Sequence, residues 1–205
     1  SDKNNNFMLG LANTDVYENT KFYKIPNIVN KYIVFDLNFS KDFIENAINK
    51  LSNRNKIIVC ATSVHKIIKI KKIISRIDII FLNKAELIKL TNIDSIEQGV
   101  KKILKINNKI KIVATNSKNN VIYGDNKSII KLKPPKIKVK NENGAGDALA
   151  GMMLYLLSKG YNKEEILKYS VACGSYYANG NRLSSKRDLL KIKNISRRVK
   201  LNKDG

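Results

Sequence analysis

Two glycines and an aspartate stand close together in the stretch Asn141-Glu-Asn-Gly144-Ala-Gly146-Asp147, directly before an apolar run. Because glycine lacks a Cβ, its backbone N–H group can approach a ligand closely. The first turn of a helix has free N–H groups and a partial positive charge, so it binds anions. A carboxylate beside such a site can take a proton from an attacking hydroxyl. The spacing therefore predicts a phosphoryl-transfer site with Asp147 as its base.

A plainer interpretation of Asp147 is that it only stabilises the start of a helix through the helix dipole. A helix is predicted across residues 147–159, because nearly all of these residues are strong helix formers and Gly160 follows as a stop signal. The segment is apolar almost all round, which predicts that the helix is buried.

The elements that must position this stretch alternate along the chain, with short β-branched runs between longer amphipathic segments. This alternation predicts a mostly parallel sheet flanked by helices, with ligands bound beyond the carboxyl ends of the strands. We predict strands at 32–35, 56–60, 78–82 and 110–114, a hairpin of 121–123 with 128–132, and helices at 41–53 (capped by Ser40), 65–75, 86–90, 95–107 and 163–179.

Polar side chains follow the predicted strands, at the edge where ligands bind. After the third strand, a carboxylate at the start of a helix can hold Mg²⁺ through water, although a solvated glutamate is equally ordinary there. The polar residues are Asp36 and Asn38 after the first strand, Ser63 after the second, Asn83 and Glu86 after the third, and Asn116 and Ser117 after the fourth.

The composition is that of one globular domain, with 205 residues of which 43% are hydrophobic. The net charge of +22 first suggests nucleic-acid binding. However, the basic residues are mostly lysines spread along the chain, whereas base and phosphate recognition favours arginine. Nucleic acid is therefore disfavoured as a partner, although a positive field still attracts small anions such as nucleotides.

Two cysteines without close spacing and a single histidine disfavour a disulfide framework, a zinc centre and a Ser-His-Asp triad. The first residues lack the apolar core of a signal peptide, and no apolar run approaches the length of a membrane span. These features predict a cytoplasmic protein without membrane contact.

The order of the motifs resembles that of the ribokinase-like (PfkB) family of carbohydrate kinases. Asn83-x-x-Glu86 is similar to a family motif tied to magnesium and phosphate, and Gly144-Ala-Gly-Asp147 is similar to its second signature. The resemblance implies that Gly144, Ala145 and Gly146 form an anion hole and that Asp147 is the catalytic base. It also implies ATP, Mg²⁺ and a three-layer α/β/α ribokinase-like fold with a mostly parallel central sheet.

The chain departs from the family pattern at two places. Asn141 stands where the family usually has an aspartate, which weakens a metal or nucleotide role there. The nucleotide loop corresponds to residues 114–121, with asparagines (Asn116, and Asn119 or Asn120) where glycines are usual, and asparagine tolerates left-handed backbone. The resemblance implies nucleotide contacts by Asn116, Ser117 and Asn143. The helix predicted at 163–179 has a face of small residues, which either contacts adenine or simply packs against the protein: Ala172, Cys173, Gly174 and Ala178.

A narrower resemblance is to the pseudouridine kinase branch, on the stretches Phe7–Tyr17, Asp36-Leu-Asn38-Phe-Ser40 and Cys60-Ala-Thr62-Ser63-Val-His-Lys66. It implies that Asp36, Asn38 and Ser63 contact the substrate. The expected activity is ATP-dependent phosphorylation of the 5′-hydroxyl of pseudouridine. The alternatives are a ribokinase or adenosine kinase type of enzyme for another sugar or nucleoside, and a non-catalytic nucleotide-binding fragment.

Complete members of the family begin with a further stretch that carries sugar contacts and a lid. We therefore expect residues 1–205 to be the C-terminal, nucleotide-binding part of a single kinase domain, with the N-terminal part and the lid missing. Such a chain is expected to expose a sheet edge, and to bind nucleotide even where it fails to phosphorylate. The candidate protein partner is a second copy of the chain, in a homodimer.

Overall fold

The computed structural model describes residues 16–17 and 24–203. The described chain forms two compact units: an α/β unit that contains residues 24–115 and 122–129, and a helical unit that contains residues 116–121 and 130–203. The predicted pseudouridine kinase motif at residues 7–17 lies largely outside the described residues. Within the described part, no helix has the length and apolar character needed to cross a membrane.

The α/β unit is built on a sheet whose first four strands are parallel and whose fifth is antiparallel to the fourth. The four parallel strands match the predicted limits to within one residue. The strands are β1 (Tyr32–Phe35), β2 (Lys56–Cys60), β3 (Ile79–Asn83), β4 (Lys111–Thr115) and β5 (Val121–Gly124), and the helices of this unit are α1 (Lys41–Leu51), α2 (Lys84–Thr91) and α3 (Ile96–Ile106).

The parallel strands are continuous apolar runs because both faces of the sheet are covered. Ile57, Val59 and Ile80 have no exposed surface, and they join one core with the inward residues of α1 and α3, such as Ile48 and Ile103. Helix α1 begins as predicted, since Ser40 Oγ accepts a hydrogen bond from the Phe43 N–H at 3.3 Å. The outer strand β1 keeps Tyr32 and Val34 about half exposed, so this edge of the sheet presents apolar side chains to solvent.

The helix predicted at 65–75 is wrong, because the structure has two 3₁₀ turns there, Ile67–Ile70 and Ile74–Arg76. The apolar residues of this segment that reach the core are Ile67, Ile70, Ile73 and Ile74. Within the first turn, the spacing of three between Ile67 and Ile70 matches the three residues per turn of a 3₁₀ helix, which places these two side chains on one side.

The helical unit contains α4 (Ala145–Ser158), α5 (Lys163–Ala178) and α6 (Lys186–Ser196), and strand β6 (Ile129–Lys133) pairs antiparallel with β7 (Lys200–Lys203). Helix α6 and strand β7 were not predicted from the sequence. The sequence of β7, Lys-Leu-Asn-Lys, has no strand pattern of its own, so its pairing with β6 determines its conformation.

The apolar sequence of α4 predicted a helix buried on all sides, but one side of the helix is exposed. Leu149, Met153 and Leu156 are buried, whereas Gly151 and Tyr155 on another side are exposed. The predicted stop is confirmed, because Gly160 adopts a positive φ of 73°. The N–H of Tyr161 then donates to the Leu156 carbonyl at 3.2 Å, which closes the end of the helix.

Candidate active site

The start of helix α4 is fixed by Gly144. This residue has φ 78°, in the left-handed region, and it caps a helix that begins at Ala145, two residues earlier than predicted. A Cβ at Gly144 would lie 3.1 Å from Cε1 of Tyr177 in helix α5. Gly144 is therefore required both by the backbone conformation and by the close approach of an aromatic ring.

The first turn of α4 leaves two N–H groups available. The Ala145 N–H donates to the Glu142 carbonyl at 3.2 Å, and the Ala148 N–H donates to the Gly144 carbonyl at 2.9 Å. Between them, the N–H groups of Gly146 and Asp147 have no intrahelical acceptor, as expected for a helix start, and no other described residue accepts from them. We call these two N–H groups the anion hole.

The space beside the anion hole is open. A Cβ added at Gly146 would meet no atom within 4 Å, and both Gly146 and Asp147 are exposed. The Asp147 carboxylate thus stands at a helix start, next to free N–H donors and next to room for a ligand. This arrangement suits an anion whose neighbouring hydroxyl gives up a proton.

The predicted nucleotide loop lies in the same unit and contacts the stretch that leads into α4. Its left-handed residue is Ser117, with φ 47°, whereas Asn116, Asn119 and Asn120 do not adopt the left-handed backbone that asparagine tolerates. Asn116 instead accepts a hydrogen bond from the Asn119 N–H through its carbonyl, at 2.8 Å. Ser117 Oγ donates to Glu142 Oε1 at 2.7 Å, and this bond joins the two loops.

Asn141 and Asn143 shape the turn before Gly144. The Asn143 N–H donates to Asn141 Oδ1 at 2.9 Å, which is the pattern of an Asx turn. Asn141 therefore has a structural role in this loop, and the side chain of Asn143 is left exposed.

In the α/β unit, the predicted substrate residues lie at the carboxyl ends of β1 and β2. Asp36 Oδ1 accepts from the Asn38 N–H at 2.8 Å, and Ser63 Oγ accepts from the His65 N–H at 3.2 Å. Lys66 Nζ donates to Asn38 Oδ1 at 2.9 Å and so joins the two loops. No role was predicted for Lys66, although this residue ends the motif that contains Ser63.

The predicted metal residues Asn83 and Glu86 form a capping box at the start of α2. The Glu86 N–H donates to Asn83 Oδ1 at 2.9 Å, and the Asn83 N–H donates to Glu86 Oε2 at 2.7 Å. Glu86 is 3% exposed, and this burial raises the pKa of its carboxyl. The box leaves Glu86 Oε1 as the oxygen available to a metal ion.

A hydrated Mg²⁺ fits such a site only in part. Mg²⁺ commonly keeps several waters and binds one or two carboxylates together with substrate phosphates. Glu86 supplies one hard oxygen of this kind. Among the residues that the structure describes, no three histidine, cysteine or acidic side chains cluster to hold an ion, so further ligands would come from water and from the nucleotide.

The small face of α5 packs against protein and is not open to adenine. Ala172 and Cys173 are buried, and burial raises the pKa of the Cys173 thiol to about 11. A Cβ at Gly174 would lie 3.0 Å from the Ala145 carbonyl oxygen. Of the two interpretations of this face, packing against α4 is the one that the structure supports.

A cavity of about 410 Å³ lies instead beside the end of α5 and along α6. Its apolar wall includes Ile137, Tyr176 and Ile195. The Tyr176 hydroxyl is turned to the buried Asp188, donating to its Oδ1 at 2.7 Å, and this bond lowers the pKa of Asp188 and helps to raise that of Tyr176 to about 12. The pair of Tyr176 and Asp188 was not predicted, because helix α6 was not predicted from the sequence.

The chain is similar in sequence to known proteins. The chain matches the model of the pfkB family carbohydrate kinases over residues 2–180. It is 29% identical over 105 residues to the ATP-dependent 6-phosphofructokinase isozyme 2 of Escherichia coli K12, a match that covers 50% of this chain and 34% of that protein.

Solved structures of kinases have a similar fold. The phosphofructokinase-2 from Escherichia coli in complex with substrates and products has 23% identity and a TM-score of 0.70, over 82% of this chain and 59% of that chain. A carbohydrate kinase from Agrobacterium tumefaciens has 24% identity and a TM-score of 0.63, over 83% and 56%. The predicted three-layer α/β/α fold with a mostly parallel sheet is thus confirmed, and the chain spans a little over half the length of these structures.

Replacement of Gly144 tests the start of α4. We expect Gly144→Ala to lower the free energy of unfolding by about 1–2 kcal/mol, because alanine is strained in the left-handed region and its Cβ approaches Tyr177. Gly151→Ala is the matched control: it adds a Cβ in open space within the same helix and should stabilise by roughly 0.5–1 kcal/mol. Urea unfolding of both variants measures the difference, and equal effects would contradict the assigned geometry.

Proposed function

Since the chain belongs to the pfkB family of carbohydrate kinases, we propose that it takes part in transfer of the ATP γ-phosphoryl group to a hydroxyl of a sugar or nucleoside, with pseudouridine as the favoured substrate. The observation that carries this proposal is the first turn of α4. It combines two free N–H donors, open space at Gly146 and the exposed carboxylate of Asp147.

Each of these groups has a part in phosphoryl transfer. The Asp147 carboxylate accepts the proton of the attacking hydroxyl, which makes that oxygen a better nucleophile. The N–H groups of the anion hole donate to the oxygens of the transferred group, where negative charge is spread in the transition state. They are held in place by the helix and need no rearrangement during the reaction.

The nucleotide is bound, in this proposal, by the loop of Asn116 and Ser117 and by the exposed side chain of Asn143. The cavity along α6 has a volume suited to a purine base, and Ile137, Tyr176 and Ile195 give it apolar walls. In the α/β unit, Glu86, with Asn83 positioning it, would hold a hydrated Mg²⁺, and this ion would supply positive charge to phosphate oxygens.

Pseudouridine is favoured by the sequence similarity at residues 36–40 and 60–66. In the structure, Asp36, Asn38 and Ser63 lie in two loops that Lys66 joins, so these loops together supply amide, hydroxyl and ammonium donors and one carboxylate. Such a mixture suits a ring that presents both carbonyl oxygens and N–H groups. The names of the relatives favour a second candidate, a kinase for a sugar phosphate of the fructose 6-phosphate type.

A substrate panel separates these candidates. ADP release is measured with Mg²⁺-ATP and, in turn, pseudouridine, ribose, adenosine and fructose 6-phosphate. We expect the highest kcat/KM with pseudouridine, because its ring can use the donors around Asn38. A higher value with fructose 6-phosphate would transfer the assignment to the second candidate.

The variant Asp147→Asn tests the base. We expect turnover to fall at least about a hundredfold, the scale of a lost general base, while Mg²⁺-ATP still raises the melting temperature. Near-normal turnover in this variant would contradict the role of Asp147. Loss of the ATP-induced thermal shift would instead assign the residue to binding.

Gly146→Ala tests the open space beside the anion hole. Its Cβ meets no protein atom within 4 Å, so the melting temperature of the free protein should stay unchanged or rise slightly. If phosphate occupies that space, the affinity for Mg²⁺-ATP should fall about tenfold. Unchanged affinity in calorimetric titration would place the phosphates elsewhere.

A further inference from the structure

Glu142 is an acidic residue at the phosphate site to which the proposed function gives no role. Its carbonyl accepts from the Ala145 N–H at 3.2 Å, so its backbone belongs to the turn that leads into α4. Its side chain is exposed, and its Oε1 accepts from Ser117 Oγ in the nucleotide loop at 2.7 Å. The carboxylate thus contacts a residue proposed to bind the nucleotide, and Glu142 stands four positions before Gly146, the first of the two free N–H groups.

This position is unfavourable for binding a bare polyphosphate. Residues 116–121 and 141–147 together contain one cation, Lys118, against the two carboxylates of Glu142 and Asp147. A carboxylate within several ångströms of phosphate oxygens repels them, and the repulsion is strongest where water is partly excluded. Outside the two loops, Arg182 stacks on the Tyr177 ring that faces Gly144. The loops themselves carry a net negative charge, so a triphosphate bound there favours a further cation beside Glu142.

The chemistry of Glu142 indicates where that charge is held. Mg²⁺ prefers hard oxygen ligands and binds through one or two carboxylates together with phosphates and waters. Glu142 is exposed, and its side chain is bonded to the neutral hydroxyl of Ser117, so exchange of that hydroxyl for a cation costs little. Resting on the function proposed above, we propose that Glu142 is a ligand, directly or through water, of the Mg²⁺ that enters with ATP.

The exchange also frees Ser117. When the carboxylate turns to the metal ion, the Ser117 hydroxyl loses its acceptor and becomes a donor for a phosphate oxygen. Without the side-chain bond, the loop keeps the hydrogen bond from the Asn119 N–H to the Asn116 carbonyl, at 2.8 Å. Glu142 therefore makes nucleotide binding depend on the metal.

Calorimetric titration of ATP into the chain, with EDTA or with saturating Mg²⁺, tests this proposal. In Glu142→Gln, metal-free ATP should bind about three- to tenfold more tightly than in the parent, because one repelling charge is gone. The gain in affinity on adding Mg²⁺ should shrink by a similar factor. Glu164→Gln, an exposed substitution in the first turn of α5, is the control and should change neither value.

Ser117→Ala tests whether Glu142 binds the metal or only joins the two loops through its hydrogen bond to Ser117. It breaks the same hydrogen bond but keeps the carboxylate, so it should bind metal-free ATP as the parent does and lose affinity only with Mg²⁺, when the Ser117 hydroxyl would donate to a phosphate oxygen. If Glu142→Gln and Ser117→Ala bind metal-free ATP equally well, or if Glu142→Gln matches the parent, the metal role is overturned. Failure of the parent to bind ATP under both conditions would instead count against the proposed function.

Discussion

The close packing of α4 against α5 is the constraint on which the candidate site depends. It is permitted by two glycines that face each other's helices: Gly174 leaves room for the Ala145 carbonyl, and Gly144 leaves room for the ring of Tyr177. A side chain at either position would push the start of α4 away, and the two free N–H groups would move with it. The orientation of the anion hole is thus determined by van der Waals contact between two helices.

The rest of the helical unit supports this contact. Arg182 stacks on Tyr177, with its guanidinium carbon 4.5 Å from the ring centroid, and so restricts the ring that faces Gly144. The next residue, Tyr176, is tied by its hydroxyl to Asp188, a carboxylate that also accepts hydrogen bonds from Ser184 and Ser185. Helix α6, which has no residue in the proposed phosphate site, therefore helps to hold that site through α5.

Much of the fold could be predicted because the amino-acid sequence of each parallel strand is itself typical of a buried strand. Runs such as Lys56–Cys60 are apolar and β-branched, and their position in a parallel sheet follows from local composition. Helix α4 was also predicted from its local sequence, with its start placed two residues late. The left-handed conformation of Ser117 was not, because a hydrogen bond to Glu142, distant in sequence, accompanies it, and β7 forms only by pairing with β6.

The candidate residues share one property that residue types alone do not reveal: in the free protein, most already have hydrogen-bond partners. These partners differ in how readily a ligand can replace them. Glu86 is 3% exposed and its carboxylate accepts from the Asn83 N–H, so releasing it would leave a buried carboxylate without this partner, and it is best suited to a fixed position. The bonds of Ser117 with Glu142 and of Lys66 with Asn38 join side chains that are exposed or only partly buried, where water compensates for a lost partner. A ligand can therefore rearrange these two pairs at low cost, whereas the capping box and the first turn of α4 stay as they are.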